Sequence, residues 1–230
     1  MSFVTILKLL QVCDSLFPIG SFAYSDGLES ATSAALVRDL DSLREWLDVC
    51  LDEGIGRSDG PALAIAWSAL HGADWDAFIA VDEELTALRP SATVRRANRS
   101  MGWRLLKTWQ VLHPDARLEH AMEVAAGPAS PGGPTLPVAF AAVSVCAGID
   151  RRDALAGYAY TRLGATVSAA MRLMALGQTD AQQLLSRVLG RVPETVDDVI
   201  ARNRPIESFA PALDVAQMTQ QYVHSRLFRS

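Results

Sequence analysis

Cysteine is scarce in this chain. Cys13, Cys50 and Cys146 are odd in number and none stands in a CxxC spacing, which argues against a disulfide framework or a zinc knuckle. Buried, reduced thiols and a cytoplasmic setting are expected instead. Long apolar runs are missing too. The longest, Leu136 to Ile149, is too short to span a bilayer, and its alanines predict a buried helix. Arg162 and Arg172 interrupt the stretch from Tyr158 to Gly177. The first residues carry no basic region ahead of an apolar run, so Phe3 to Leu16 reads as an amphipathic helix rather than a secretory signal. A soluble chain without membrane contact is expected. Charge of one sign is not in large excess: a net charge of −5 gives no general reason to bind nucleic acid.

Catalytic signatures are absent as well. There is no Walker A lysine motif, no GxSxG elbow, no HExxH and no glycine-rich loop placed after a strand. The four histidines, His71, His113, His120 and His224, are scattered, whereas a transition-metal site needs several N or S ligands converging in space. His113 and His120 would share a face only if a helix ran through Pro114, which proline disfavours. Asp82-Glu83-Glu84 reads as a solvated helix face, and Ser25-Asp26 as capping rather than nucleophile chemistry. No catalytic, cofactor-binding or metal-ligating residue is predicted, and a non-enzyme is expected.

What the chain does contain is helical periodicity. Its 230 residues, half of them hydrophobic, suffice for one sizeable core. Leu40, Leu43, Leu47 and Leu51 share a face, with Asp39 or Asp41 as the cap. Gly54, Gly56 and Gly60-Pro61 are expected to break the chain before the next helix. A helix through Trp75, Phe78 and Leu85 closes at Arg89-Pro90, and Ser91 caps a long helix to about Leu112. A shorter one reaches Ala126, and Gly127 to Pro134 reads as a surface loop. Pro137 opens the alanine-rich helix. Further helices run from about Arg151 to Gly177 and from Thr179 to about Arg202, the latter interrupted near Pro193, before a final one beyond Pro211. With no two-residue alternation, strands are not expected. The reading is all-α: a single-domain multi-helix bundle over residues 1–230, with a distinct tail at about 220–230.

Four features stand out from that bundle. Asp14 to Glu29 holds Phe17, Phe22 and Tyr24 in a turn punctuated by Pro18, Gly20 and Gly27. Such a turn is either pinned into the core or offered to a partner. Local physics favours pinning, and Asp26 has Glu29 at capping-box spacing. In the long helix, Arg95, Arg96, Arg99 and Lys107 project opposite Val94, Met101, Leu105 and Trp109. They form either a solvated face or a docking surface for an acidic partner, arginine suiting the second. Gly157, Thr161, Gly164 and Ser168 make a stripe of small residues that admits a neighbouring helix. At the end, Arg226, Leu227, Phe228 and Arg229 are too apolar for an idle terminus and are expected to anchor on the chain's own surface or on another chain. Residues from about Gln220 onward are expected to be mobile in the isolated protein and to become ordered on a partner.

The wording of these blocks resembles one family. Asp14-Ser-Leu-Phe-Pro-Ile-Gly-Ser-Phe-Ala-Tyr-Ser-Asp-Gly-Leu-Glu29 is similar to the N-terminal signature of the UreF urease accessory proteins. Asn98 to Lys107 resembles the family's central helix. Gly157-Tyr-Ala-Tyr160, Ser168 to Leu173 and Leu176 to Asp180 resemble its late helices, and Ser225 to Ser230 its C-terminus. One departure is clear: an Arg-His-Glu run commonly follows a Met before the tail in that family, but Met218 is followed by Thr219, Gln220 and Gln221. A partner contact made by those charges is therefore not expected to carry over. The resemblance implies an all-helical scaffold, paired as a homodimer, that joins UreD (also called UreH) and the GTPase UreG on apo-urease while its nickel centre is assembled. Phe17, Phe22, Tyr24, Arg95, Arg96, Arg99, Arg226, Leu227, Phe228 and Arg229 would then be partner-binding. Two rivals are a regulator of the GTPase, as activator or brake, and a helical metal-dependent enzyme with converging polar ligands.

Overall fold

The computed structural model describes residues 2–126, 132–202, 205–224 and 226–229, and among them there is no strand. Most of the expected Gly127–Pro134 loop thus lies outside the described residues, as do Ser225 and Ser230 of the tail. The helices are α1 (Phe3–Cys13), α2 (Leu28–Ser33), α3 (Leu40–Val49), α4 (Gly60–His71), α5 (Trp75–Ala87), α6 (Ala92–Leu112) and α7 (Ala116–Ala125). They continue with α8 (Leu136–Ala147), α9 (Arg151–Leu173), α10 (Gln178–Leu189), α11 (Val192–Arg202) and α12 (Pro211–Thr219). The caps expected for α3 and α6 are in place. Asp39 forms a reciprocal capping box with Ser42 at α3, and the Ser91 hydroxyl accepts from Val94 N–H at α6.

The bundle is built around α8. Every residue of that helix but Cys146 is buried, and it packs most extensively against α4 and α6. A helix enclosed on all sides has little room for polar positions, and its one hydroxyl, Ser144, donates to the Phe140 carbonyl at 2.7 Å. Its N-terminal amides must be satisfied from outside. Asp82 of α5 accepts from Thr135 N–H at 2.7 Å, and Asn98 of α6 accepts from Leu136 N–H at 2.7 Å. Asp82 is therefore buried, not the start of a solvated acidic face. Arg99 balances it, pairing at 3.1 Å while also donating to the Gly133 carbonyl and to Thr86 Oγ1. The crossing is close enough that a Cβ on Gly102 would stand 2.2 Å from the Pro134 carbonyl oxygen. The Asn98–Gly102 block is thus a clamp on the start of the central helix.

Between α3 and α4 the structure departs from the sequence expectation. The glycines at 54, 56 and 60 do not break the chain. Residues 50–59 wind as a π-helix, so α3 and α4 form one continuous rod. Gly60 N–H closes a wide turn on the Ile55 carbonyl, and a Cβ at Gly60 would lie 2.5 Å from that same oxygen. The glycine relieves crowding inside a widened helix; it does not end one. No helix among the described residues is long and apolar enough to cross a membrane.

Candidate functional site

The aromatic turn follows α1 directly. Phe17 N–H returns to the Asp14 carbonyl at 3.0 Å, and Gly20 takes φ +79° to start the short 3-10 turn Ser21–Ala23. The three aromatics divide. Phe17 is buried, its ring 6.1 Å from that of Trp109. Tyr24 is half-buried, and Phe22 stands 71% exposed. Pinning holds for the first, and exposure to a partner remains open to the last.

Asp26 does not cap α2. It takes a left-handed backbone (φ +50°) and pairs with Arg162 of α9, while Gly27 occupies the position before the helix. Glu29, the would-be partner in a capping box, turns instead to the far end of the chain. Its buried carboxylate accepts from Gln220 Nε2 at 2.6 Å, from Leu227 N–H, and from Phe228 N–H at 3.3 Å. Ser25 and Ser30 flank it, donating to Gln220 Oε1 through the Ser25 hydroxyl and the Ser30 N–H. Arg229 N–H closes on the Ala23 carbonyl at 2.8 Å. Gly27 makes room for this docking, since a Cβ there would meet Gln217 N of α12 at 2.9 Å.

The tail therefore lies on the chain's own body, where the sequence reading expected mobility from Gln220 onward. Phe228 is buried, with the Arg172 guanidinium 4.2 Å from its ring centroid, and Arg172 Nη2 also donates to the Phe22 carbonyl at 3.0 Å. Arg226 and Arg229 stay exposed, and Leu227 is 70% exposed. The arginines flank Phe228 without following it inward, so its burial desolvates neither guanidinium. Two sequence-distant features are thus joined through their backbones, with Phe22, Arg226, Leu227 and Arg229 left exposed.

The basic helix does not join it as a unit. Arg99 is buried in its pair with Asp82, and Arg95 folds back to donate to the Arg89 and Pro90 carbonyls. Only Arg96 of the three is exposed. The three arginines do not share one exposed face, because Arg99 is taken inward as the counter-charge of the buried Asp82. Sequence reasoning also missed Glu29, Arg172 and Gln220. Glu29 read as a capping-box residue, and Arg172 and Gln220 carried no signal of their own; only the partner across the fold gives each its meaning.

Beside the turn opens a groove of about 840 Å³, bounded by Leu10, Phe22, Tyr160, Gly164, Ser168 and Arg172 among others. The small-residue stripe of α9 floors it. Gly157 is already used by α1, since a Cβ there would meet Leu9 Cδ1 at 2.8 Å, but Gly164 faces open space. A smaller cavity of about 90 Å³ lies behind the π-helix, among Glu53, Asp59, Arg89 and Arg162. There Asp59 pairs with Arg89 and accepts from the Tyr158 hydroxyl at 2.5 Å. Burial, and then the Asp59 charge, push that phenol well above its usual range, so it stays a donor. No histidine belongs to this network. Among the described residues, no three His, Cys, Asp or Glu side chains are placed to hold a metal ion.

The UreF family profile matches residues 37–189, more than half of the chain. The chain belongs to the UreF family and is a urease accessory protein.

Proposed function

We propose that this protein is a scaffold in the maturation of the urease nickel centre. The surface built by Phe22, Leu227, Arg226 and Arg229 receives UreD, and the assembled pair recruits the GTPase UreG and docks on apo-urease. Nickel is cargo of that assembly. The groove between α1, the aromatic turn and α9 receives a second copy of the chain, the open half of the small-residue stripe allowing a helix to approach closely.

The observation that carries this reading is the meeting of the turn and tail backbones, Arg229 N–H on the Ala23 carbonyl, with Phe22 and Leu227 both left exposed. Exposed aromatic side chains and arginine are enriched in protein–protein interfaces. Co-expression of the tagged chain with UreD, UreG and the urease subunits tests it. The intact chain is expected to capture UreD and to support urease activation. Phe22→Ser combined with Leu227→Ser is expected to lose both while remaining folded. Unchanged capture and activation by that double variant would remove the reading.

A further inference from the structure

The π-helix at residues 50–59 turns one side towards the small cavity that Arg89 and Arg162 also line. At about 3.6 residues per turn, positions nine apart stand on opposite sides of an α-helix. The wider i→i+5 winding lets Cys50 and Asp59 line the same cavity. That wall is polar, and its hydrogen bonding is incomplete. Among the described residues three buried side-chain atoms have no protein partner: Glu53 Oε2, Arg89 Nε and Thr135 Oγ1. The first two belong to residues that line this cavity. Both side chains are held elsewhere, Glu53 Oε1 by Arg57 at 3.5 Å and Arg89 Nη2 by Asp59. A buried acceptor and a buried donor are thus left facing the same small space, and each is costly unless something answers it.

We infer that this cavity is an internal hydration site, in which ordered waters donate to Glu53 Oε2 and accept from Arg89 Nε. The chemistry selects water. A lone acceptor would suit a cation and a lone donor an anion, but this wall carries both, and water answers both in one neutral molecule. The volume agrees. The cavity measures about 90 Å³, and a water takes about 30 Å³ in the liquid, so there is room for about three. Each needs about two to four polar partners. Asp59 supplies further lone pairs, having accepted from Arg89 on one oxygen and from the Tyr158 hydroxyl on the other. Waters placed there join the rod, at Glu53, to the segment after α5, at Arg89, and complete the network that Asp59 begins. The π-helix thereby gains a role: it widens the rod into the wall of a wet site, where an α-helical continuation would turn Asp59 away. The site goes beyond the scaffold reading and does not depend on it.

A high-resolution crystal structure of the full-length chain shows the site directly. Water oxygens are expected within about 3.2 Å of both Glu53 Oε2 and Arg89 Nε. In solution, oxygen-17 relaxation dispersion counts the long-lived internal waters. Glu53→Met keeps the length of the side chain and removes its acceptor, and it is expected to lose at least one of about three such waters while its helical circular dichroism is unchanged. A dry cavity in the wild-type chain, closed by its own side chains, would overturn the inference. So would an ion standing where the waters are expected, and so would an equal water count in Glu53→Met. Should that variant fail to fold, the wild-type electron density decides alone. Neither measurement involves UreD, so a dry cavity leaves the scaffold reading standing, and a chain that captures no UreD leaves the hydration site standing.

Discussion

Helices α1 and α8 look alike in sequence and meet opposite fates. Both are short, apolar and nearly free of charge, with Lys8 the single charged side chain in the first and none in the second. Yet α8 is buried almost throughout, while α1 buries only Val12 fully and leaves Phe3 at 76%, Leu7 at 52% and Leu10 at 61% exposure. The difference lies in what surrounds them. Helix α8 is enclosed by α4, α6 and α9, whereas α1 touches α9 and α8 along one side only. Apolar composition therefore states a demand for burial, and the neighbours decide whether the chain meets it alone. In α1 the demand is left over, beside the groove and the turn that we assign to partners.

The comparison breaks most readily inside the α8 environment. Phe140→Ala, which removes a ring packed edge-on to Tyr158 at 5.6 Å, is expected to cost about 3–5 kcal/mol in chemical denaturation. Phe3→Ala in α1 is expected to stay within about 0.5 kcal/mol by the same measurement. A comparable loss at both sites would erase the distinction between the helices.

Removing the clamp on α8 tests the same contrast through charge. Arg99→Ala leaves Asp82 buried without this counter-ion, their side chains being 8% and 4% exposed, and is expected to cost about 3 kcal/mol or more. Arg96→Ala, on the exposed face of the same helix, is expected to cost less than about 0.5 kcal/mol. Thermal melts of the two variants side by side decide whether the arginines differ as their surroundings do.

On the α1 side the expected effect moves from stability to association. Leu7→Ser with Leu10→Ser is expected to leave the melting temperature almost unchanged, while shifting the chain towards monomer in sedimentation. A large fall in melting temperature with no change of mass would return α1 to the core.

The last prediction concerns the thiols. Burial pushes Cys13 beside α9, Cys50 in the π-helix and Cys146 on α8 up to about 12 from the ordinary 9.0. The folded state thus favours the neutral thiol, so this contribution to stability is intact below pH 9 and is lost as pH rises towards 12. Denaturation midpoints at pH 8, 9 and 10 are expected to fall over the last step, and thiol labelling of the native protein at pH 8 is expected to be slow. Rapid labelling of Cys13 would mean that α1 does not stay on α9.

Much of this was legible without coordinates, and the reason is locality. The start of α6 at Ser91, the proline in the first turn of α8 and the buried character of Leu136–Ile149 depend on residues within a turn or two of each other. Where a reading failed, the deciding contact was remote. Gly54, Gly56 and Gly60 looked like breaks because glycine is a weak helix former, but the rod built by α3 and α4 absorbs them in a widened turn. Asp26 and Glu29 had the spacing of a cap, but Arg162 and the tail competed for them and won.

The sequence by itself determined that this is an all-helical chain, where most of its helices begin and end, and which segments must be covered by something apolar. Periodicity, caps and prolines act through bonds spanning a few residues, so they survive without a fold. Only the tertiary structure decided that Arg99 faces inward to Asp82, that α1 keeps its apolar side open, and that Glu29 meets Leu227 and Phe228. A charge becomes a clamp, a tie or a solvated ornament according to which donors and acceptors reach it. In this protein those partners stand 17 residues away for Arg99 and nearly the whole chain away for Glu29.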